Sequence, residues 1–439
     1  MYRVHTPAFL IPSTLVVGVL SACSPIDKDA DVDLSSDLAG NFALTTPEAR
    51  SEVSRSLYTR ASIPAGTALD ATVNCNRKTG LNAPDIMVPD DYSSIQDAID
   101  AASSGDTICV EAGTYYENID FNGMDVSVIG AQGARHTFID GGGAGTVVTM
   151  DNGESSSTVL QGFTITNGYA TSGGGMYLYD VDPTFENLII LGNEATNGGG
   201  IYTSYSSFTI DNVLFQNNEA SSSGGALYGY LDFFVMNNAV ISSNKAGSGA
   251  GFRITWGGVD ITNAKFIGNE ATNYGGALYT AWDSNDIINS VITGNSASRG
   301  GGIYSGEASK VEVINTTISD NSASSSGSAA YLDYSYAHLY QDNSNIYNDT
   351  CVGSWYSCPT FSNEVDPNFV DTSGIDPLNW DLHLGACSEL IDAGDTTLSD
   401  PDGSTSDIGA YGGDGAKNWN IDGDKFFEWW QPGVYSNTY

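Results

Sequence analysis

One five-residue pattern recurs through the middle of the chain: GGGMY (173–177), GGGIY (198–202), GGALY (224–228), GAGFR (249–253), GGALY (275–279) and GGGIY (300–304). The third residues of these segments are Gly175, Gly200, Ala226, Gly251, Ala277 and Gly302, at steps of 25, 26, 25, 26 and 25. A degenerate copy, SAAY, follows at 328–331. A fixed period of this length indicates a solenoid of similar coils.

A second column keeps the same period and consists of asparagines: Asn167, Asn193, Asn218, Asn244, Asn269, Asn295, Asn321 and then Asn348. In most copies a large apolar residue stands three positions earlier, as Ile190 and Phe215 do. A carboxamide carries both donors and acceptors, so stacked Asn side chains can bond to one another along a solenoid axis. We therefore predict a structural Asn ladder that starts at Asn167.

The period selects one kind of solenoid. Helical-hairpin repeats need about 33 residues or more. Leucine-rich repeats share the length, but their L-x-x-L-x-L frame is absent. Short alternating runs such as LYGYLDFFVM (227–236) favour strands. We predict an all-β fold, a parallel β-helix of about ten coils with about 25 residues per coil, stacked at the strand spacing of ~4.8 Å.

Strand alternation directs the last residue of each repeated segment outward. This outward column is Tyr177, Tyr202, Tyr228, Arg253, Tyr279 and Tyr304. A second, looser column is Tyr179, Tyr205, Tyr230, Trp256, Trp282 and Tyr334, with Glu307 at its empty step. Trp256 and Trp282 are one coil apart, so their rings should lie ~5 Å apart along the axis.

Two roles are open for this aromatic face. Stacked rings stabilise neighbouring strands by themselves, whereas flat rings with polar edges also suit the faces of sugar rings. The candidate binding residues are Tyr177, Tyr202, Tyr228, Arg253, Trp256, Tyr279, Trp282 and Tyr304. If acid–base chemistry occurs at all, Arg253, Asp283 and Glu307 are the weak catalytic candidates.

The charge balance excludes one class of partner. The 439 residues include 53 acidic and 15 basic side chains, for a formal net charge of −38. Such a polyanion lacks the cations that neutralise phosphates, so we expect no nucleic-acid binding. With 41% hydrophobic residues the chain can nevertheless bury a large core.

The N-terminus predicts export. Residues 1–22 combine a weakly basic start with an apolar run from Ala8 to Leu20. This run is shorter than a membrane-spanning helix requires, which is typical of a secretory signal peptide. Leu20-Ser21-Ala22-Cys23 resembles the bacterial lipobox, which implies cleavage before Cys23 and lipidation of its thiol; Ser24 favours the outer membrane or cell surface. An ordinary signal peptide with a chance cysteine is the alternative. Residues 23–83 are polar and aperiodic, as expected of a disordered tether.

The GGA(L/I) and F-x-x-N repeats resemble those of polymorphic outer membrane proteins, which belong to the pectin-lyase-like right-handed β-helices. The resemblance covers about residues 160–350 of a β-helix expected over 84–360. Residues 88–119 resemble the N-terminal cap of that superfamily, with Ile95, Ala98, Ile99 and Ala102 on one helix face and Ser93 or Ser94 as N-cap. Residues 361–415 resemble a closing module that finishes the last coil, and 416–439 form an acidic aromatic tail.

The superfamily includes pectate lyases, polygalacturonases and pectin methylesterases, but their motifs are missing. No GHG or RIK motif occurs, and Asp232-Phe233-Phe234 departs from the methylesterase signature. We therefore expect a monomeric surface protein for adhesion or recognition of a polysaccharide or protein, without catalysis. The alternatives are a polysaccharide lyase or glycoside hydrolase, and a purely structural surface protein.

The cysteines of an exported chain are more often paired than metal-bound. Cys75 with Cys109 and Cys351 with Cys358 are the disulfide candidates, which leaves Cys387 odd. No cofactor is required. Asn418, Asn420, Asp422 and Asp424 stand at EF-hand-like positions, so the tail is either a calcium site or a plain acidic segment.

Overall fold

The computed structural model describes residues 84–412, apart from positions 335, 356, 375, 399 and 401–402. Within that part, three parallel sheets surround one continuous apolar core. The parallel β-helix predicted from the repeat is therefore confirmed, and the ten strands of one sheet mark about ten coils.

Each complete coil contributes to three sheets. Sheet 1 contains 17 strands: Ile86–Val88, Thr107–Val110, Gly113–Tyr115, Ser127–Gly130, Thr137–Asp140, Val159–Gln161, Thr164–Thr166, Thr184–Leu191, Ser207–Gln216, Phe233–Ser242, Gly258–Ile267, Ser284–Ile288, Val291–Thr293, Lys310–Ile314, Thr317–Ser319, His338–Asp342 and Asn345–Tyr347. Sheet 2 contains seven: Tyr169–Ser172, Glu194–Asn197, Glu219–Ser223, Lys245–Ser248, Glu270–Tyr274, Ser296–Arg299 and Ser322–Ser326. Sheet 3 contains ten: Ile119–Asp120, Val148–Met150, Met176–Tyr179, Ile201–Ser204, Leu227–Tyr230, Phe252–Thr255, Leu278–Ala281, Ile303–Ser305, Ala330–Leu332 and Cys351–Gly353.

Equivalent residues of successive coils pair directly. In sheet 3, Ile201 pairs with Leu227 and Leu227 with Phe252, at steps of 26 and 25 residues. Parallel pairing in register stacks every column at one strand spacing, ~4.8 Å. Inward positions such as Leu227 and Phe252 are completely buried, which explains why each coil repeats apolar residues there.

Glycine corners join sheet 2 to sheet 3. The first glycine of each corner is left-handed, with φ between 62° and 70° at Gly173, Gly198, Gly224, Gly249, Gly275, Gly300 and Gly327. Glycine adopts this conformation without a steric penalty, whereas a Cβ makes it unfavourable. The third corner position has no such requirement, and the chain places Ala226 and Ala277 there.

The asparagine column forms a buried ladder between coils. Asn218 Nδ2 donates to Asn244 Oδ1 (3.0 Å) and to the carbonyl of Ile190 (2.8 Å). Asn244 Oδ1 also accepts the backbone N–H of Asn218, at 3.0 Å. The pattern repeats at Asn193, Asn269 and Asn295, so the ladder links successive coils through side chain and backbone.

The predicted start of the ladder is wrong by one residue. Gly168 occupies the ladder position, and its backbone N–H donates to Asn193 Oδ1 (2.9 Å). Asn167 instead lies in the preceding left-handed turn position, with φ 56°, as does Asn348, with φ 55°. At the other end, Asp349 accepts from Asn321 Nδ2 (2.8 Å). Asparagine fits the ladder position, and it also fits the turn position just before it, because it tolerates left-handed φ better than most residues do. The sequence alone therefore does not show which of the two positions Asn167 occupies.

A short helix, α1, caps the N-terminal end of the core. It spans Ile95–Ala101, and the hydroxyl of Ser94 accepts from the backbone N–H of Asp97 (3.1 Å). The carboxylate of Glu117 accepts two more free N–H groups, those of Ile95 and Gln96, at 2.9 Å each. The predicted apolar face is buried against the first coils, so the helix shields an open end of the core from water.

The C-terminal segment does not simply finish the last coil, as the sequence had suggested. Asn363 forms a parallel bridge with Asn345, but the chain then turns back. Residues 366–412, here called the C-terminal strap, contain an antiparallel strand pair, Phe369–Asp371 and Asp381–Leu384, and a 3-10 turn at Pro377–Asn379.

The strap covers the outer face of sheet 1. Leu378 and Leu382 pack with Ile189, Leu214 and Val240, which point outward from the sheet. Lys265 is also buried there, with its ammonium 4.2 Å from the ring centroid of Tyr411 and in contact with that hydroxyl. The outward apolar column of sheet 1 is thus a packing surface for the chain's own C-terminal part.

The described cysteines are all in disulfides. Cys351 and Cys358 pair as proposed and close a loop at the C-terminal end of the helix. Cys387 is not odd, because it too is disulfide-bonded, as is Cys109. Cys23 and Cys75 lie outside the described residues. Because Cys351 and Cys358 pair with each other, Cys387 needs a partner among Cys23, Cys75 and Cys109. Pairing of Cys75 with Cys109 and lipidation of Cys23 therefore exclude each other, and each stays a prediction, as does a calcium site at 418–424. Between residues 84 and 412, no helix is long and apolar enough to cross a membrane.

Candidate functional site

The outward column of sheet 3 is a stack of tyrosine rings that is interrupted once, at Arg253. Tyr177 and Tyr202 lie 5.6 Å apart between ring centroids, and Tyr202 and Tyr228 lie 5.2 Å apart, with planes within 5° of parallel. After Arg253 the stack resumes, with 5.0 Å between Tyr279 and Tyr304. In-register pairing of one residue type produces this stack, because each ring lies one strand spacing from the next.

Arg253 takes the place of one ring. Its guanidinium carbon lies 4.4 Å from the ring centroid of Tyr279 and 5.9 Å from that of Tyr228. Its Nη1 donates to Ser223 Oγ (3.0 Å), and its buried Nε–H has no acceptor among the described residues. The cation is therefore held by rings and a hydroxyl rather than by a carboxylate.

Tyr304 was a candidate contact residue, and its burial contradicts this. The side chain is only 3% exposed, because Tyr274 packs against it with 4.8 Å between ring centroids. Its hydroxyl donates to the carboxylate of Asp333 (2.6 Å). Desolvation, together with that hydrogen bond, raises the pKa of Tyr304. This residue supports the stack and does not meet solvent.

The looser aromatic column resolves into two neighbouring columns. Tyr179 and Tyr230 end their strands in sheet 3, in register with Ser204 and Thr255. Tyr205, Trp256, Trp282 and Tyr334 instead occupy the next position, the turn from sheet 3 to sheet 1, with φ of 58°, 63°, 62° and 67°. Leu231 and Ala308 hold the same left-handed position in other coils. We call the four aromatic residues of this column, Tyr205, Trp256, Trp282 and Tyr334, the turn ridge.

Trp256 and Trp282 form the centre of the turn ridge. Their ring centroids are 4.9 Å apart, with planes 5° from parallel, close to the ~5 Å expected for one coil. They remain 48% and 41% exposed. Tyr205 and Tyr334, elsewhere in the ridge, are 51% and 50% exposed. The ridge is a solvent-facing strip of large aromatic side chains.

The backbone at these positions is unfavourable for the residues it carries. A left-handed conformation costs an L-residue ~1–2 kcal/mol, and bulky side chains rarely adopt it. Burial does not account for the choice of tryptophan, since both rings are about half exposed. The same conformation recurs at this position in other coils, as at Leu231 and Ala308, so the fold imposes it whichever residue stands there.

The weak catalytic candidates do not assemble into a site. The carboxylate of Asp283 is buried in the turn, where its Oδ1 accepts from Thr280 and Ser309 at 2.6 Å each. Burial raises the pKa of Asp283 to about 6, and the equivalent burial at Asp232 raises the pKa of that group to about 7. Neither Asp283 nor Glu307 lies within 4.0 Å of the Arg253 guanidinium. No group of three or more metal-ligating side chains occurs in the described part either.

Four residues near this face were not identified from sequence. Tyr331 continues the ring stack, 5.9 Å from Tyr304, and belongs to the degenerate copy SAAY, which was the available signal. Arg299 lies over Tyr331, with 5.2 Å from guanidinium carbon to ring centroid. Tyr274 and Asp333 cover Tyr304. Arg299 and Tyr274 come from the ends of sheet 2 strands, whose side-chain direction the repeat does not specify.

The chain is similar to known proteins mainly in its fold. Residues 212–230 match the Chlamydia polymorphic membrane protein repeat. No curated protein matches the sequence. Among solved structures, pectate lyase Pel9A is 17% identical, over 76% of this chain and 97% of that one, with a TM-score of 0.47. Pectin methylesterase from Aspergillus niger is 15% identical, over 66% of this chain and 94% of that one, with a TM-score of 0.33. The receptor-binding domain of the Siphovirus 9NA tailspike is 10% identical, over 66% and 77%, with a TM-score of 0.20.

Proposed function

We propose that this protein is an exported cell-surface protein that binds polysaccharide on the turn ridge of its β-helix and does not cleave it. The observation that carries the proposal is the stacked pair Trp256 and Trp282, half exposed in a left-handed turn. A structural role favours buried rings, and both tryptophans are about half exposed.

The chemistry of the ridge suits sugars. Tryptophan and tyrosine combine a large apolar face with a polar edge, so they pack on the C–H face of a sugar ring while its hydroxyls stay in water. Tyr205 and Tyr334 lie in the same column on either side of the tryptophans, each separated from the pair by one coil, which carries Leu231 or Ala308 at this position. Several sugar units of a polysaccharide that runs along the axis can therefore contact aromatic rings of this column.

Surface location is supported by two features of the sequence. The repeat matched at 212–230 is named for a membrane protein of Chlamydia. The N-terminal 22 residues have the pattern of a signal peptide before Cys23. The proposal includes a lipid on Cys23 and a tether that presents the β-helix outside the cell. Adhesion to a host or neighbouring cell is one use of such binding.

We expect Trp282→Asn to weaken polysaccharide binding about tenfold or more, as loss of an aromatic hot spot does. Its stability should change by less than about 1 kcal/mol, because lost ring stacking is offset by relief of left-handed strain. Glycan-array binding and a denaturant titration of the full chain measure the two effects.

The matched control is Leu231→Asn, which makes the same exchange at the same turn position without removing a ring. It should leave binding unchanged. Normal binding by Trp282→Asn, combined with a stability loss of about 2 kcal/mol or more, would identify the ridge as purely structural.

Lipidation has its own test. Cells expressing the chain should incorporate a palmitate analogue into it, and Cys23→Ala should remove the label. Label that survives Cys23→Ala, or no label on the unchanged chain, contradicts the lipid anchor. Cys109→Ala is the control for a cysteine change elsewhere.

A further inference from the structure

Most cations of the described region are neutralised or buried. Its six basic side chains are Arg135, Lys245, Arg253, Lys265, Arg299 and Lys310. Lys245 pairs with Glu270 (3.3 Å) and Lys310 with Glu312 (2.6 Å), and Arg135 is half-buried, which lowers its pKa to about 9. Lys265 contacts Tyr411 under the strap. Arg253 and Arg299 differ, because within the described residues neither has a carboxylate within 4.0 Å. In a chain of net charge −38, two unpaired arginines are an unusual feature.

Both arginines lie on the ring stack of sheet 3. Arg253 is held between Tyr228 and Tyr279, and Arg299 rests on Tyr331. A cation over a ring face is stabilised without losing its charge. The rings also restrict the guanidinium, so little side-chain freedom is lost when it binds an anion. Two guanidinium groups held over tyrosine rings resemble a preorganised anion-binding site more than a structural ion pair.

The coil register sets the spacing of the two cations. Arg253 pairs with Tyr279, and Tyr279 pairs with Tyr304. Arg299 begins the corner that leads into Tyr304, so it belongs to the coil two steps from Arg253. Two strand spacings separate the backbones of the two arginines by ~9.6 Å along the axis. The Arg299 guanidinium extends one coil further, onto Tyr331.

We infer that Arg253 and Arg299 bind carboxylate or sulfate groups of an acidic polysaccharide that runs along the helix axis beside Trp256 and Trp282. This rests on the proposed function and specifies its ligand. Guanidinium groups bind both anions through paired N–H donors. Double-stranded nucleic acid carries a charge every ~1.7 Å, too dense for two cations in a strongly anionic chain. A glycan with one charge per sugar or per disaccharide carries its charges far enough apart for two arginines to bind them.

This site has a distinctive salt dependence. The net charge repels an acidic glycan over a range of ~30 Å at 0.01 M salt but only ~8 Å at 0.15 M. The arginine contacts act at short range and are screened less. Affinity should therefore rise between these salt concentrations, whereas binding by a basic surface falls.

The test uses the full chain and two matched pairs of polysaccharides: hyaluronate with its carboxyl-reduced form, and heparin with its desulfated form. In titration calorimetry, at least one charged member should bind about tenfold or more tightly than its neutralised counterpart. Arg253→Gln should remove most of that preference. Lys245→Gln, which loses the same charge on another face, should keep it. Arg299→Gln provides a second variant if Arg253→Gln fails to fold.

Each outcome decides something different. Equal binding within both pairs overturns the anion site but leaves the proposed polysaccharide function standing. Equal effects of Arg253→Gln and Lys245→Gln also overturn it, because only net charge then matters. Failure of all four polysaccharides to bind counts against both proposals. Preference within one pair identifies the anion as carboxylate or sulfate.

Discussion

Asn244→Leu is expected to lower the free energy of unfolding by about 3–5 kcal/mol, because it interrupts the ladder in the middle of the helix. Asn244 Oδ1 accepts both the backbone N–H and the side chain of Asn218. Its own Nδ2 donates to the carbonyl of Phe215 and to Asn269 Oδ1. Leucine satisfies none of these groups, and all of them are buried away from water.

The measurement is the denaturant midpoint of the full chain with and without the substitution. Asn273→Leu is the control, since Asn273 is exposed in the strand Glu270–Tyr274 of sheet 2. It should change stability by less than about 0.5 kcal/mol. If the two variants are equally stable, the hydrogen-bonded ladder does not contribute to stability.

Gly275→Ala is expected to cost about 3 kcal/mol or more, since it combines backbone strain with a clash. Gly275 has φ of 65°, and a Cβ built there lies 2.4 Å from the carbonyl oxygen of Leu278. That contact is with the chain's own backbone in the following strand, so no side chain can move to relieve it. All seven corners carry glycine at this position.

Gly302→Ala provides the comparison, at the third corner position, where Ala226, Ala277 and Ala329 already stand in other coils. A Cβ at Gly302 would also meet a backbone oxygen, that of Ala329 at 2.7 Å, but the φ of Gly302 is not left-handed. The loss of stability in Gly302→Ala should therefore be smaller than that in Gly275→Ala. Thermal unfolding followed by circular dichroism compares both with the unchanged chain. Equal losses would mean that crowding between coils, rather than left-handed φ, requires the glycine.

Much of this fold follows from local patterns. The glycine corners, the apolar inward positions and the buried asparagines recur at one period, and each coil needs the same residues to turn, to fill the core and to satisfy its polar groups. Stacking of the coils in register then follows, and with it the parallel Trp256–Trp282 pair. Sequence reasoning could reach these features because they depend on contacts between residues one coil apart.

Other features were decided only by the tertiary structure. Asn167 and Gly168 could not be distinguished by period, since only the hydrogen bond to Asn193 shows which of them faces the ladder. Tyr304 belongs to the same column as Tyr202, yet Tyr274 and Asp333 bury it. The left-handed turn of the tryptophans likewise depends on where each strand of sheet 3 ends.

The strap is the clearest case of this difference. Asn315 donates to Ser406, 91 residues away, and Leu378 and Leu382 pack on side chains contributed by several coils of sheet 1. The strap does not repeat, so its sequence carries no period from which its partner could be read. A repeat specifies the contacts between one coil and the next. The strap instead packs on a surface built from several coils, and that surface exists only after the coils have stacked.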